Sequence, residues 1–244
     1  MDIGCIYSSW SFGNHLTVNS SKTKAIVFGN VDLNLRIVIN GSSVNFVDRL
    51  ECLGVYLDRC LLFDYYIDRI SFKVVGILRR LYSLAVYLPC RTRYLVAHAL
   101  LMTHVLYGLE VVSGTTSYNI TRLNRITNMI ARYVYNVSLR THISGYLKQF
   151  LGCSFRNFIS YRNMLMFFKV IKSGCPVQLR SEFTFSHSSR NPQVIIPRIR
   201  ASVFERSFLV RIARCWNYLP LELRLFSQSN NAFCLKLMRY LATL

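Results

Sequence analysis

The stretch from Arg49 to Leu81 constrains this chain most, because an apolar run passes there almost directly into a helical repeat. Leu50-Glu51-Cys52-Leu53-Gly54-Val55-Tyr56-Leu57 is apolar on both faces and predicts a strand in a covered sheet rather than an amphipathic edge. Asp64 then offers an N-cap oxygen, and Ile67, Ile70, Val74, Ile77, Leu78 and Leu81 recur at helical spacing. Asp68, Lys73, Arg79 and Arg80 fall opposite that stripe. A sheet hands over to a helix that is apolar inside and positive outside. The chain before this junction reads as sheet, and nearly all of it afterwards as basic helix.

The positive charge is concentrated. Between Ile70 and Ser181 fifteen Lys or Arg stand against Glu110 alone, a net +14 within a chain of +19. Such an imbalance calls for a polyanion, with nucleic acid ahead of an anionic membrane surface. The 15 residues Tyr94 to Gly108 carry no Lys, Arg, Asp or Glu. They fall short of the roughly 20 a bilayer needs, and His98, Thr103 and His104 interrupt them, so a buried core helix is expected and no membrane partner. His98 and His104 lie about 240° apart around that helix and do not share a face for a metal.

The eight cysteines show no CxxC and no short paired spacing, and most sit in apolar runs as small buried hydrophobes do. With no signal-peptide pattern at the N-terminus, a reducing, intracellular setting is expected and zinc is not.

In chain order, Ile3, Ile6 and Trp10 read as the tail of a helix. A loop with Lys22 and Lys24 leads to a strand at Ala25–Phe28. A second strand at Leu35–Ile39 turns at Asn40-Gly41 into a return leg at Val44–Val47. Helices are predicted over about 64–84, 92–107, 117–135, 143–151 and 155–171, the last ending at Gly174 before Pro176. A polar run near Ser186–Asn191 marks a linker. Beyond it lie a helix ending near Tyr218, a Leu219-Pro220 break and a closing helix at about 231–241.

Several motifs occur in a telling order. They are Asn14-x-Leu16-x-Val18-Asn19-x-x-Lys22-Thr23-x-x-Ile26-x-Phe28, then Leu53-Gly54-Val55-x-Leu57-Asp58 and Ile67-x-x-Ile70-x-x-Lys73. Leu106-Tyr107-Gly108, Asn128-x-x-x-Arg132 and Trp216-Asn217-x-Leu219-Pro220-x-x-x-Arg224 follow, with Phe233, Tyr240 and Leu241. Each is weak alone. In this order and spacing the chain resembles the C-terminal part of the reverse transcriptases of non-LTR (jockey-type, LINE-like) retrotransposons. The resemblance implies an α+β fold: a short antiparallel β-hairpin remnant of a polymerase palm (1–62), a mainly helical thumb-like bundle (63–174) and a small helical C-terminal region (175–244).

It also implies roles. Lys22 matches a lysine that approaches the departing pyrophosphate as a general acid, against the simpler reading of an exposed loop lysine. Leu53, Gly54 and Val55 match a hairpin that grips the primer end, against that of a plain core strand. Lys73, Arg79, Arg80, Arg122, Arg125 and Arg132 fall on helices that would track the phosphates of an RNA or DNA template–primer duplex, with Lys22 and Lys24 nearby in sequence terms on the palm side. Six such contacts predict a loss of affinity on the order of 10³-fold between roughly 50 and 200 mM salt.

In that family magnesium ions are held by a palm aspartate and an Asp-Asp pair, and this sequence contains no Asp-Asp pair. Two-metal phosphoryl transfer needs bridging carboxylates, so no polymerase activity and no metal is expected of this chain alone. Part of a polymerase, a stand-alone non-catalytic nucleic-acid-binding module and a decayed copy without activity all remain open. Unpaired palm strands are expected to promote association with other chains.

Overall fold

The computed structural model describes residues 11, 13–16, 19, 22–29, 36–39, 42–186, 193–199 and 201–244. The chain is α+β and about 59% helical. It divides into two compact units, Met1–Tyr66 and Ile67–Leu244. The expected helix near Trp10 and the Asn40-Gly41 turn lie outside the described residues.

The first unit is built from short strands. β1 (Lys24–Ala25) pairs in parallel with β4 (Asn45–Phe46), and β2 (Val38–Ile39) pairs antiparallel with β3 (Ser42–Ser43), Ile39 opposite Ser42. The expected return leg at Val44–Val47 is therefore split. Ser42–Ser43 closes the hairpin, and Asn45–Phe46 turns to β1 instead.

β5 (Arg49–Cys52) and β6 (Val55–Asp58) form the longest ladder, with Arg49 opposite Asp58 and Cys52 opposite Val55. This corrects the single covered strand expected over Leu50–Leu57. Leu53 (φ 49°) and Gly54 (φ 80°) both adopt the left-handed region, the signature of a two-residue type I′ turn. Gly54 takes that conformation without steric cost, and Leu53 does so at a cost of about 1–2 kcal/mol. Turn geometry outweighs the apolar run, and Glu51, Cys52 and Leu53 stand exposed.

The second unit is helical; its longer helices sit near where the periodicity predicts them, and the short helices at Leu109–Val112, Val177–Ser181 and Ser202–Glu205 are additions to that reading. α1 (Asp64–Tyr82) straddles the division between the units. α2 (Cys90–Ala97) runs on through a π-helical stretch (His98–Met102) into α3 (Thr103–Leu106). Gly108, at φ 64°, breaks the run before α4 (Leu109–Val112). α5 (Ser117–Tyr135), α6 (Ser144–Leu151) and α7 (Phe155–Ser173) follow. α8 (Val177–Ser181), α9 (Ser202–Glu205), α10 (Phe208–Tyr218) and α11 (Asn230–Thr243) complete the chain.

One capping device recurs at four helix starts. Thr116, Ser154, Ser207 and Ser229 each accept from the backbone N–H three residues on, satisfying a donor the helix itself leaves unpaired. Asn136, Gly152 and Gly174 close α5, α6 and α7 in left-handed conformation.

α7 touches α4, α5, α6, α10 and α11. Its Met164, Phe167 and Phe168 share a core with Trp216, Phe233, Leu237 and Leu241. Phe168 stacks on Phe233 at 4.1 Å, and Trp216 on Phe226 at 4.9 Å. The division expected at 174/175 is thus bridged by common packing. Trp216 is fully buried, as a packing residue rather than a base platform.

A backbone contact fixes the approach of α4 to the segment before α10. A Cβ on Gly114 would lie 2.4 Å from the Arg206 carbonyl oxygen, whereas one on Gly76 within α1 would meet nothing within 4 Å. Gly114→Ala is expected to destabilise the chain by about 2–3 kcal/mol through forced backbone movement. Gly76→Ala is expected to stabilise it by about 0.5–1 kcal/mol through helix propensity. Urea unfolding midpoints of the two variants check both signs.

A second expectation concerns acid. Burial holds His98 below the usual histidine range, and burial followed by the Lys73 charge does the same to His104. The unfolded chain then binds protons that the folded one resists. Stability is full above the unfolded histidine value of about 6.5 and falls as the pH drops below it. Thermal unfolding followed from pH 7.5 to 5 should show that decline.

Candidate nucleic-acid interface

The loop before β1 presents its lysine by an asparagine-centred turn. Asn19 Oδ1 accepts from the Lys22 backbone N–H at 3.2 Å, and Thr23 Oγ1 donates to the Asn19 carbonyl at 2.9 Å. Lys22 and Lys24 are exposed. Asn19, Lys22 and Thr23 of the first motif thus form one local fold, while Val18 lies outside the described residues.

The β5–β6 hairpin carries Leu53 at its tip, 87% exposed, with Gly54 beside it and Val55 buried. Across the ladder Tyr56 Oη donates to Glu51 Oε2 at 2.6 Å. Tyr65 meets the Tyr56 ring edge-on at 5.0 Å and lies 5.0 Å from the Arg49 guanidinium carbon.

Asp58 then organises the exit from the hairpin. Its Oδ1 accepts from the backbone N–H of Cys60 and Leu62 at 3.0 Å each, and its Oδ2 from that of Phe63 at 2.6 Å. This clasp holds Leu61 (φ 51°) and Phe63 (φ 62°), two positions where L-residues are strained. Asp58, the last residue of the Leu53-Gly54-Val55-x-Leu57-Asp58 motif, thus holds the exit from the hairpin. Asp64, expected as the cap, lies within the first turn of α1.

The six cations expected on the helices divide into two sets. Lys73, Arg79 and Arg80 are exposed on α1 and Arg125 on α5. None of the four takes part in an ion pair among the described residues. Arg80 Nε only donates back to the Gly76 carbonyl of its own helix, at 3.3 Å.

Arg122 and Arg132 are employed internally. Arg122 pairs with Asp68 of α1 and donates to Asn119 Oδ1 at 3.2 Å. Arg132 donates to the carbonyl oxygens of Ser138 and of Thr141, the latter at 2.9 Å, bracing the turn after α5. α1 and α5 are further joined where the Tyr82 and Tyr133 rings meet edge-on at 5.6 Å.

The Trp216–Arg224 motif is also a structural joint. Asn217 clasps Val194, accepting from its N–H and donating to its C=O at 2.9 Å each. Arg224, at the end of the motif, is buried, as is the preceding Leu223. Away from these residues, Arg162 pairs with Glu110 at 2.7 Å in a shallow depression shared with Met166, Lys169 and Cys175.

The carboxylates near the hairpin are engaged within the protein. Asp48 pairs with Arg59 at 3.6 Å, Glu51 accepts from Tyr56, and Asp58 accepts from three backbone N–H groups. Among the described residues no three His, Cys, Asp or Glu are grouped to hold a metal. No described helix is long and apolar enough to cross a membrane.

Sequence reading missed Phe72. It stands 86% exposed on α1 immediately before Lys73. Its only signal was its position one step off the apolar stripe.

No protein-family model, curated protein or solved structure matches this chain.

Replacing Asp58 by Ala is expected to cost about 2–3 kcal/mol, because three backbone donors lose a charged acceptor at once. Asp58→Asn should cost less, since one amide oxygen remains to accept. Hydrogen exchange at Cys60, Leu62 and Phe63 reads the clasp directly, with fastest exchange in the Ala variant.

Proposed function

We propose that this chain is a nucleic-acid-binding protein whose helical unit holds the phosphates of a duplex without reading its sequence. Within that class, the order of its motifs supports the C-terminal part of an RNA-directed DNA polymerase of a non-LTR retrotransposon. On this reading residues 1–62 are the end of a palm, 63–174 a thumb and 175–244 a C-terminal extension. An RNA or DNA template–primer duplex is the partner.

The observation that carries the reading is the group Lys73, Arg79, Arg80 and Arg125. All four are exposed, and no described carboxylate pairs with them. Cations without a carboxylate partner can exchange their counterions for phosphates, the main source of sequence-independent affinity. In the palm part, Lys22 is proposed as the general acid of the full polymerase and the Leu53-Gly54-Val55 tip as the primer-holding element. The engagement of Asp48, Glu51 and Asp58 favours a second reading alongside, a non-catalytic binding module.

Four phosphate contacts predict a slope of about −3.6 for log affinity against log salt, hence roughly 150-fold weaker duplex binding at 200 than at 50 mM. Lys73→Gln and Arg79→Gln should each flatten the slope by about 0.9. Arg132→Gln should lower stability rather than change the slope. A salt-independent affinity overturns the reading, and primer extension with magnesium by the purified chain overturns its non-catalytic part.

A further inference from the structure

α1 carries a side chain that neither the core nor the charge pattern accounts for. Phe72 is 86% exposed near the middle of a 19-residue helix. Single exposed apolar residues are ordinary on a protein surface. The setting of this one is not. At about 100° per residue, Phe72, Lys73, Gly76, Arg79 and Arg80 fall within about 120° of helix circumference. The acid on the flank of that face, Asp68, is engaged by Arg122. Gly76 leaves open space where a Cβ would project, so the strip between the ring and Arg80 is low. His104, close enough to Lys73 to feel its charge, is held neutral-leaning by burial and by that ammonium, and brings no negative charge to the face.

An aromatic face flanked by cations on a strip without an available carboxylate fits a planar, electron-rich group carried on a polyanion. Lys73 and Arg80 are separated by about 10 Å of helix rise, far enough apart to meet different phosphates of one strand. A membrane surface asks for a broad apolar face beside the cations, and this face offers the Phe72 ring alone as unengaged aromatic surface, Tyr65 two turns earlier being packed edge-on against Tyr56. A second copy of the chain would bring another +19 against it.

We propose that the outer face of α1 is a platform for unpaired nucleic acid, on which one base of RNA or DNA stacks on Phe72 while Lys73, Arg79 and Arg80 hold the adjoining phosphates. The inference rests on the phosphate-binding reading above and adds to it the form of nucleic acid this face selects. A closed duplex keeps its base faces stacked and gains nothing from the ring. A frayed end or single strand does gain.

The test compares three probes of equal length, about twelve nucleotides: oligothymidylate, the same strand with abasic sites, and a blunt duplex. Stacking on one aromatic side chain is worth roughly 5- to 150-fold in affinity. Phe72→Leu is therefore expected to weaken oligothymidylate binding about 10-fold and to leave the other two probes within about two-fold. Phe72→Trp should retain the oligothymidylate affinity. The exposure of Phe72 makes both variants compatible with an unchanged fold, which circular dichroism verifies.

The inference is overturned if Phe72→Leu leaves oligothymidylate binding unchanged or weakens all three probes alike. It is equally overturned if the ring matters only for binding vesicles containing phosphatidylserine, or for self-association. Retained duplex binding in those cases leaves the phosphate-binding reading standing. Failure of the wild-type chain to bind any probe at low salt removes both.

Discussion

The second unit depends on the burial of α7. This helix carries aromatic and aliphatic side chains around most of its circumference, so no single partner could cover it. α4, α5, α6, α10 and α11 each take part of its surface, and the Phe168–Phe233 and Trp216–Phe226 stacks fill the gap towards the C-terminus. Offset and stacked ring pairs add directional preference to what is otherwise undirected apolar burial. An interior closed by rings has little room for charge.

That exclusion sorts the basic residues. Four arginines that pass near the interior are given an acceptor: Asp68 for Arg122, Glu110 for Arg162, two loop carbonyls for Arg132, and the Ser113 hydroxyl at 3.0 Å for Arg211. Each leaves less desolvation unpaid than an unpaired guanidinium would. With eleven carboxylates for thirty Lys and Arg, most of the other described cations are exposed, Arg93 and Arg224 being buried. The surface charge of α1 is thus a consequence of how few acids the chain has and where the core spends them.

The motifs that carry the family resemblance take on a second meaning in three dimensions. Asn19 shapes a turn, Gly108 ends a helix run, Arg132 braces a loop and Asn217 clasps Val194. Asp58 holds a strained exit from a hairpin with three backbone hydrogen bonds. These are positions where the chain changes direction and few side chains serve. Motifs of this kind record joints of a fold as readily as contacts to a ligand.

The amino-acid sequence by itself determined the longer helices and the positive charge. A 3.6-residue apolar period is a local property, and the ends of α1, α5 and α7 lie within about two residues of where that period, with its Gly and Pro breaks, puts them. Only the tertiary structure decided the rest. It turned one apolar run into a hairpin at Leu53-Gly54, because a left-handed backbone pair is not written in hydrophobicity. It separated Arg122 and Arg132 from Lys73, Arg79, Arg80 and Arg125, because an ion pair across 54 residues is invisible to any local pattern. It also left Phe72 in water among cations, since what a side chain fails to touch depends on every other element of the fold.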